Sequence, residues 1–144
     1  MSKSEQRVKG LSEVVLRVND LDAMQHFYED VVGLELMRRF PQMAFLKIAE
    51  GYSGLTQALA LFDASLAPDI DVPHYQGLSR QQTTLHHFAL AIELADYEAE
   101  KQRLEHLGLT VKTMEHAWAH SRSLYISDPE GNVVEFVCYD ASIP

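Results

Sequence analysis

The chain has 144 residues, 47% of them hydrophobic, a formal net charge of -9 and a pI near 5.1. That length suits one compact domain with a real core, and the acidic balance weighs against nucleic acid or an anionic membrane surface as partner, since either would want clustered Lys and Arg. No apolar run reaches the roughly 20 residues that span a bilayer, and the start, MSKSEQRVKG, lacks the apolar segment of a secretory leader, so a cytoplasmic protein is expected.

Residues 11–18, LSEVVLRV, place Val14, Leu16 and Val18 on one side and Glu13, Val15 and Arg17 on the other, the period of a strand. Asn19 and Asp20 then offer capping oxygens to a helix whose Met24, Phe27, Tyr28 and Val31 recur at helical spacing until Gly33. LELMRRF, MAFLKIA and QALALFD predict three more strands, separated by Pro41 and by a turn over Gly51 to Gly54. The first half is therefore βαβββ. Residues 63–82 carry two prolines and no sustained period, which predicts a crossover. The pattern then restarts with a strand in LHHFALAI, a helix from about Asp96 to Gly108, and closing strands in LTVKTME, SLYIS and NVVEFVC. The expectation is a single domain over 1–144, with module one at about 8–63, a crossover at about 64–82 and module two at about 83–140.

The halves repeat. Glu13 precedes Gly33 by 20 residues, and His87 precedes Gly108 by 21. Glu135 lies 27 residues after Gly108, and the residue 27 after Gly33 is Ala60. Glu13, Ala60, His87 and Glu135 are thus equivalent positions, and three of the four can bind a metal. On their strands the opposite faces are apolar, so Glu13, His87 and Glu135 must point to the other side of the sheet among Val15, Ala89, Ala91, Val133 and Val137. Two acids and an imidazole in such surroundings call for a partner, and a divalent cation meets that need while leaving positions open for substrate oxygens. Singly, each has an ordinary reading: Glu13 paired with a surface cation such as Arg17, His87 a satisfied core histidine, Glu135 a solvated strand residue. Their joint occurrence at equivalent positions favours a shared site.

Other features carry less. Cys138 lies in an apolar stretch, where a small buried side chain is the ordinary role. His86 is turned away from His87 by strand alternation, and His26, His74 and His106 have no spaced partners. A phosphate-cradling glycine loop, a CxxC pair and a GxSxG elbow are all absent, which disfavours nucleotide and covalent mechanisms.

The segments EVVLRVNDLDAMQHFYEDVVGLEL, LHHFALAI and SLYISDPEGNVVEF resemble the first βα unit, the "HIAF" strand and the closing "YFxDPDGNxxEF" signature of the vicinal oxygen chelate superfamily, which includes glyoxalases, bleomycin-resistance proteins and extradiol dioxygenases. The resemblance covers residues 11–139, and Asp128, Pro129, Gly131 and Asn132 in its closing signature build a tight turn that aims Glu135. It implies an α+β fold of two βαβββ modules forming a cup-shaped mixed sheet around a metal, and a homodimer. It also implies Glu13, His87 and Glu135 as metal ligands, a relatively hard donor set that favours Mn, Fe, Co, Ni, Zn or Mg over a thiophilic ion. The segment MEHAWAHSRSLY by resemblance borders the cavity mouth, which makes Trp118, His120 and Arg122 candidate substrate contacts and makes Glu135 and Tyr125 the candidate catalytic residues. Arg122 would hold a carboxylate or phosphonate, and Tyr125 would donate a hydrogen bond to a chelated substrate oxygen.

Two departures stand out. The first ligand is Glu13 where the family usually has His or Gln, which weighs against extradiol ring cleavage, and the fourth ligand of glyoxalase I falls on Ala60, which has no donor atom. Fosfomycin-modifying transferases match better by ligand count, although their first ligand is also normally His. The expected function is a metal-dependent enzyme (a lyase, isomerase, transferase or dioxygenase) chelating two vicinal oxygens of a small molecule. The rival is a metal-free protein of the bleomycin-resistance type, whose acidic charge would attract a cationic ligand.

Overall fold

The computed structural model describes residues 6–66 and 85–144. Most of the expected crossover, together with His74, lies outside them. The chain divides into two compact units, Met1–Gln76 and Gly77–Pro144, each built on one four-stranded mixed sheet. Among the described residues no helix is long and apolar enough to cross a membrane.

The first unit runs β1 (Glu13–Val18), α1 (Leu21–His26), β2 (Glu35–Phe40), β3 (Met43–Glu50) and β4 (Thr56–Asp63). Its sheet order is β1-β4-β3-β2, with β1 parallel to β4. Asp20 caps α1, its carboxylate accepting the Ala23 amide at 3.0 Å, as the sequence predicts. The helix then widens into a π turn over Phe27–Val32 and stops at left-handed Gly33, φ +89°, where the Leu34 amide donates back to the Tyr28 carbonyl at 2.8 Å. The wide turn brings two consecutive aromatics, Phe27 and Tyr28, to the core, their rings edge to face at 5.3 Å, where a regular helix would splay one outward.

The second unit runs β5 (Phe88–Ala91), a 3₁₀ turn (Leu94–Asp96), α2 (Tyr97–His106), β6 (Lys112–His116), β7 (Ser121–Ser127) and β8 (Val133–Tyr139), in the order β5-β8-β7-β6 with β5 parallel to β8. Leu90, Leu124, Ile126, Val134, Phe136 and Cys138 are buried on the face that also receives Tyr97 of α2. Two details differ from the sequence expectation. β5 begins only at Phe88, so His86 and His87 precede the strand and are not bound by its alternation. The strands expected in LTVKTME and SLYIS also run closer together: β6 reaches His116, one 3₁₀ turn at Ala117–Ala119 follows, and β7 starts already at Ser121.

The repeat is present in the strand register. In the first unit Val15 pairs with Ala60, and in the second Ala89 pairs with Glu135. Val15 and Ala89 each stand two residues beyond Glu13 and His87, so Ala60 is the positional counterpart of Glu135, as the glycine spacing predicts.

The hairpin between β7 and β8 is pinned by Asp128. One of its carboxylate oxygens accepts the amides of Glu130 and Asn132 at 2.9 Å each, the other accepts the Asn132 side-chain amide at 2.8 Å, and Gly131 takes φ +86°. This closure sets Ser127 opposite Val133 and therefore Tyr125 opposite Glu135. Removing a buried acceptor strands its donors. Asp128→Ala is accordingly expected to lower the unfolding free energy by about 2 kcal/mol, read as a lower urea midpoint with an unchanged slope.

Candidate active site

Glu135 is the focal residue of the second unit. It is only 6% exposed, although the sheet face it shares carries the small exposed side chains Ala89 and Ala91 and the half-buried Val133 and Val137. Burial of an ionised carboxylate is tolerated when its oxygens are hydrogen-bonded or paired, and both are. Oε1 accepts the Ser123 hydroxyl at 2.5 Å and the Tyr125 hydroxyl at 3.1 Å. Oε2 faces His87 Nε2 at 3.0 Å. The Tyr125 hydroxyl, its hydrogen given to Glu135, accepts from His116 Nε2 at 2.9 Å, and His116 Nε2 stands 3.6 Å from Glu135 Oε1. On the opposite face Tyr97 donates its hydroxyl to the Ser123 carbonyl at 3.2 Å, fixing β7 where Ser123 reaches Glu135.

The expected residues are only partly brought together. His87, Glu135 and Tyr125 form one cluster, with the His87 and Tyr125 rings 6.1 Å apart. Glu13 stands exposed at the start of β1 in the first unit. Trp118 is 89% exposed on the 3₁₀ turn, and His120, in the left-handed region at φ 47°, is tied by Nδ1 to the Ile143 carbonyl at 2.7 Å. Arg122 departs from the expectation most. Alternation along β7 turns it away from Ser123 and Tyr125, so it lies across the sheet from Glu135, paired with Asp140 at 2.7 Å and lying over the Tyr97 ring. A substrate anion on Arg122 would have to displace Asp140. Cys138 is buried, and burial pushes its thiol above the usual range, consistent with a packing role.

Ser123 and His86 belong to the cluster although the sequence pattern gives neither a role there, and His116, from the segment expected at the cavity mouth, joins them. Pairing outward from the Asp128 turn would have found Ser123, because two steps from the Tyr125–Glu135 pair lies a same-face position. His86 places its Nδ1 2.7 Å from His87 Nδ1, which strand alternation would forbid and the late start of β5 allows.

The donor chemistry fits a cation in part. Two ligands each about 2.1 Å from an octahedral ion and at right angles to each other lie about 3.0 Å apart, and His87 Nε2 and Glu135 Oε2 stand at that separation, which is also that of a direct His–carboxylate contact. Oε1 is engaged by Ser123 and Tyr125, which leaves Oε2, beside His87, as the available donor. Among the described residues no three His, Cys, Asp or Glu side chains are gathered closely enough to hold an ion.

Two mixed βαβββ sheets and a closing hairpin that aims a buried glutamate define a glyoxalase-like protein, and the comparison with family models agrees: the chain belongs to the Glyoxalase/Bleomycin resistance protein/Dioxygenase superfamily, matched over residues 10–136. Among solved structures it is similar to lactoylglutathione lyase from Agrobacterium tumefaciens, at 33% identity and TM-score 0.69, over 92% of this chain and 96% of that one. Among curated proteins it is similar to lactoylglutathione lyase of Neisseria meningitidis, 24% identical with 88% of each chain covered. It is also similar to glutathione transferase FosA of Serratia marcescens, 26% identical over 89% of this chain and 79% of that one.

Burial, and then the hydrogen bond to Glu135, push the Tyr125 hydroxyl above its ordinary value of 10. A raised value means that the fold favours the neutral phenol, so this stabilisation is complete below about pH 10 and is lost as pH rises through the folded value. In an alkaline titration followed by ultraviolet absorbance, Tyr125→Phe should remove a late-titrating tyrosine. Loss of one titrating in the ordinary range would show that the hydroxyl is not engaged.

Proposed function

We propose that the protein is a divalent-metal-dependent enzyme acting on a small molecule that presents two neighbouring oxygens, with His87, Glu135 and Glu13 as metal donors. The observation that carries this reading is the division of labour on Glu135: one oxygen saturated by Ser123 and Tyr125, the other left to His87 Nε2 at 3.0 Å. Fixing the carboxylate through its inner oxygen orients the outer one, the arrangement by which neighbouring hydrogen bonds set up metal ligands. Glu13 enters as third donor through its equivalence to His87 in the repeat. Superfamily membership further supports a homodimer working in the cytoplasm.

A bound cation would withdraw electron density from the substrate oxygens and stabilise negative charge developing on them. The residues of the chain orient and exclude. Tyr125 holds Glu135 and can turn its hydroxyl toward a substrate oxygen, while Ser123 keeps the carboxylate in place when Tyr125 turns. Ala60 is fully buried and has no donor atom, which supports a set of three protein ligands and weighs against the reaction of the lactoylglutathione lyases.

The test is metal content by mass spectrometry on protein purified without a polyhistidine tag, with folding checked by circular dichroism. Near one divalent ion per chain is expected, with loss in His87→Ala, in Glu135→Gln and in Glu13→Gln. No ion after incubation with Mn, Fe, Ni and Zn would instead favour a metal-free binder of a drug or metabolite. Retention in Glu13→Gln alone would remove that residue from the donor set.

A further inference from the structure

We infer that His86 is a positioning residue for His87: it accepts the Nδ1 hydrogen of His87 and so frees the His87 Nε2 lone pair for a cation beside Glu135. The inference rests on the metal-dependent reading above. The two imidazoles meet edge to face, with centroids 5.0 Å apart at 71° and the two Nδ1 atoms 2.7 Å apart. Only one hydrogen can lie between two nitrogens so placed, and a neutral imidazole has one N–H in all. The hydrogen on His87 therefore has two coupled positions. On Nε2 it donates to Glu135 Oε2, and Nδ1 accepts from His86. On Nδ1 it donates to His86, and two bare acceptors then face each other at 3.0 Å, an arrangement that is repulsive unless a cation lies between them. His86 serves both forms because its own hydrogen can sit on either nitrogen, and its exposed position leaves the other nitrogen to water. Because β5 starts at Phe88, both histidines precede the strand, and His87 is contacted by the His86 ring on one side and by Glu135 and the Tyr125 ring on the other.

The test compares Co²⁺ affinity, followed by its visible absorption, in the wild type, His86→Ala, His86→Phe and His86→Asn. The asparagine side chain would keep an acceptor oxygen near the Nδ1 position, whereas phenylalanine keeps a ring and loses the acceptor. Affinity is expected to fall about 10- to 100-fold in the Ala and Phe variants, with most of it recovered in the Asn variant. Ala and Phe variants within about twofold of the wild type would overturn the inference and leave the metal reading standing. Equal loss in all three variants would also overturn it, because the effect would then not follow the acceptor. A wild type that binds Co²⁺ no better than His87→Ala would overturn the metal reading and this inference with it.

Discussion

A carboxylate held out of water on a sheet face governs the second unit. Moving an ionised carboxylate into a protein interior costs several kcal/mol unless its oxygens find partners, and for Glu135 those partners come from β7 and from the residues just before β5. The ties extend through the sheet. Tyr97 of α2 fixes the Ser123 carbonyl, the Ser123 hydroxyl fixes Glu135, and Glu135 meets His87. A shift of one residue between β7 and β8 would move Ser123 and Tyr125 to the helix side and strand the carboxylate, so the Asp128 turn that sets the register also protects the site.

The two units use the same scaffold for different purposes. Both have parallel outer pairs in the same register, yet where the second places Glu135 the first places Ala60, and where the second places His87 the first places Glu13. Around Ala60 the strand is apolar, with Ala58, Leu59 and Leu61 buried as well, so this position closes a core in one unit and presents a carboxylate in the other. Duplication thus provides equivalent positions, and the side chains placed at them separate packing from chemistry.

Much of this is legible from periodicity and punctuation. Alternation in β1, β5 and β8 and the glycines ending both helices give the element order, and their spacing gives the equivalences that the register reproduces. The π turn is hidden because Phe27, Tyr28 and Val31 satisfy an ordinary helical spacing equally well, and only packing distinguishes the wider turn. His86 and Arg122 mislead for opposite reasons. Strict alternation does not govern His86, which precedes its strand, and it does govern Arg122, which β7 already includes. A cross-strand partner such as Ser123 emerges only when register is carried from the turn along β7 and β8.

Relatives with different names match nearly the whole chain at similar identity, so the similarity is mostly that of a shared scaffold. Under the proposed function, discrimination would fall to the four equivalent positions. In the proposed donor set two carboxylates and a neutral imidazole cancel the charge of a divalent cation, whereas a set with two histidines and one carboxylate leaves a net positive charge. The neutral centre draws less on substrate electrons, and its attraction for an anionic substrate is weaker. Such a centre would suit neutral substrates or those with an easily lost proton, and it would place more of the work of orientation on Tyr125, whose hydroxyl lies against Glu135.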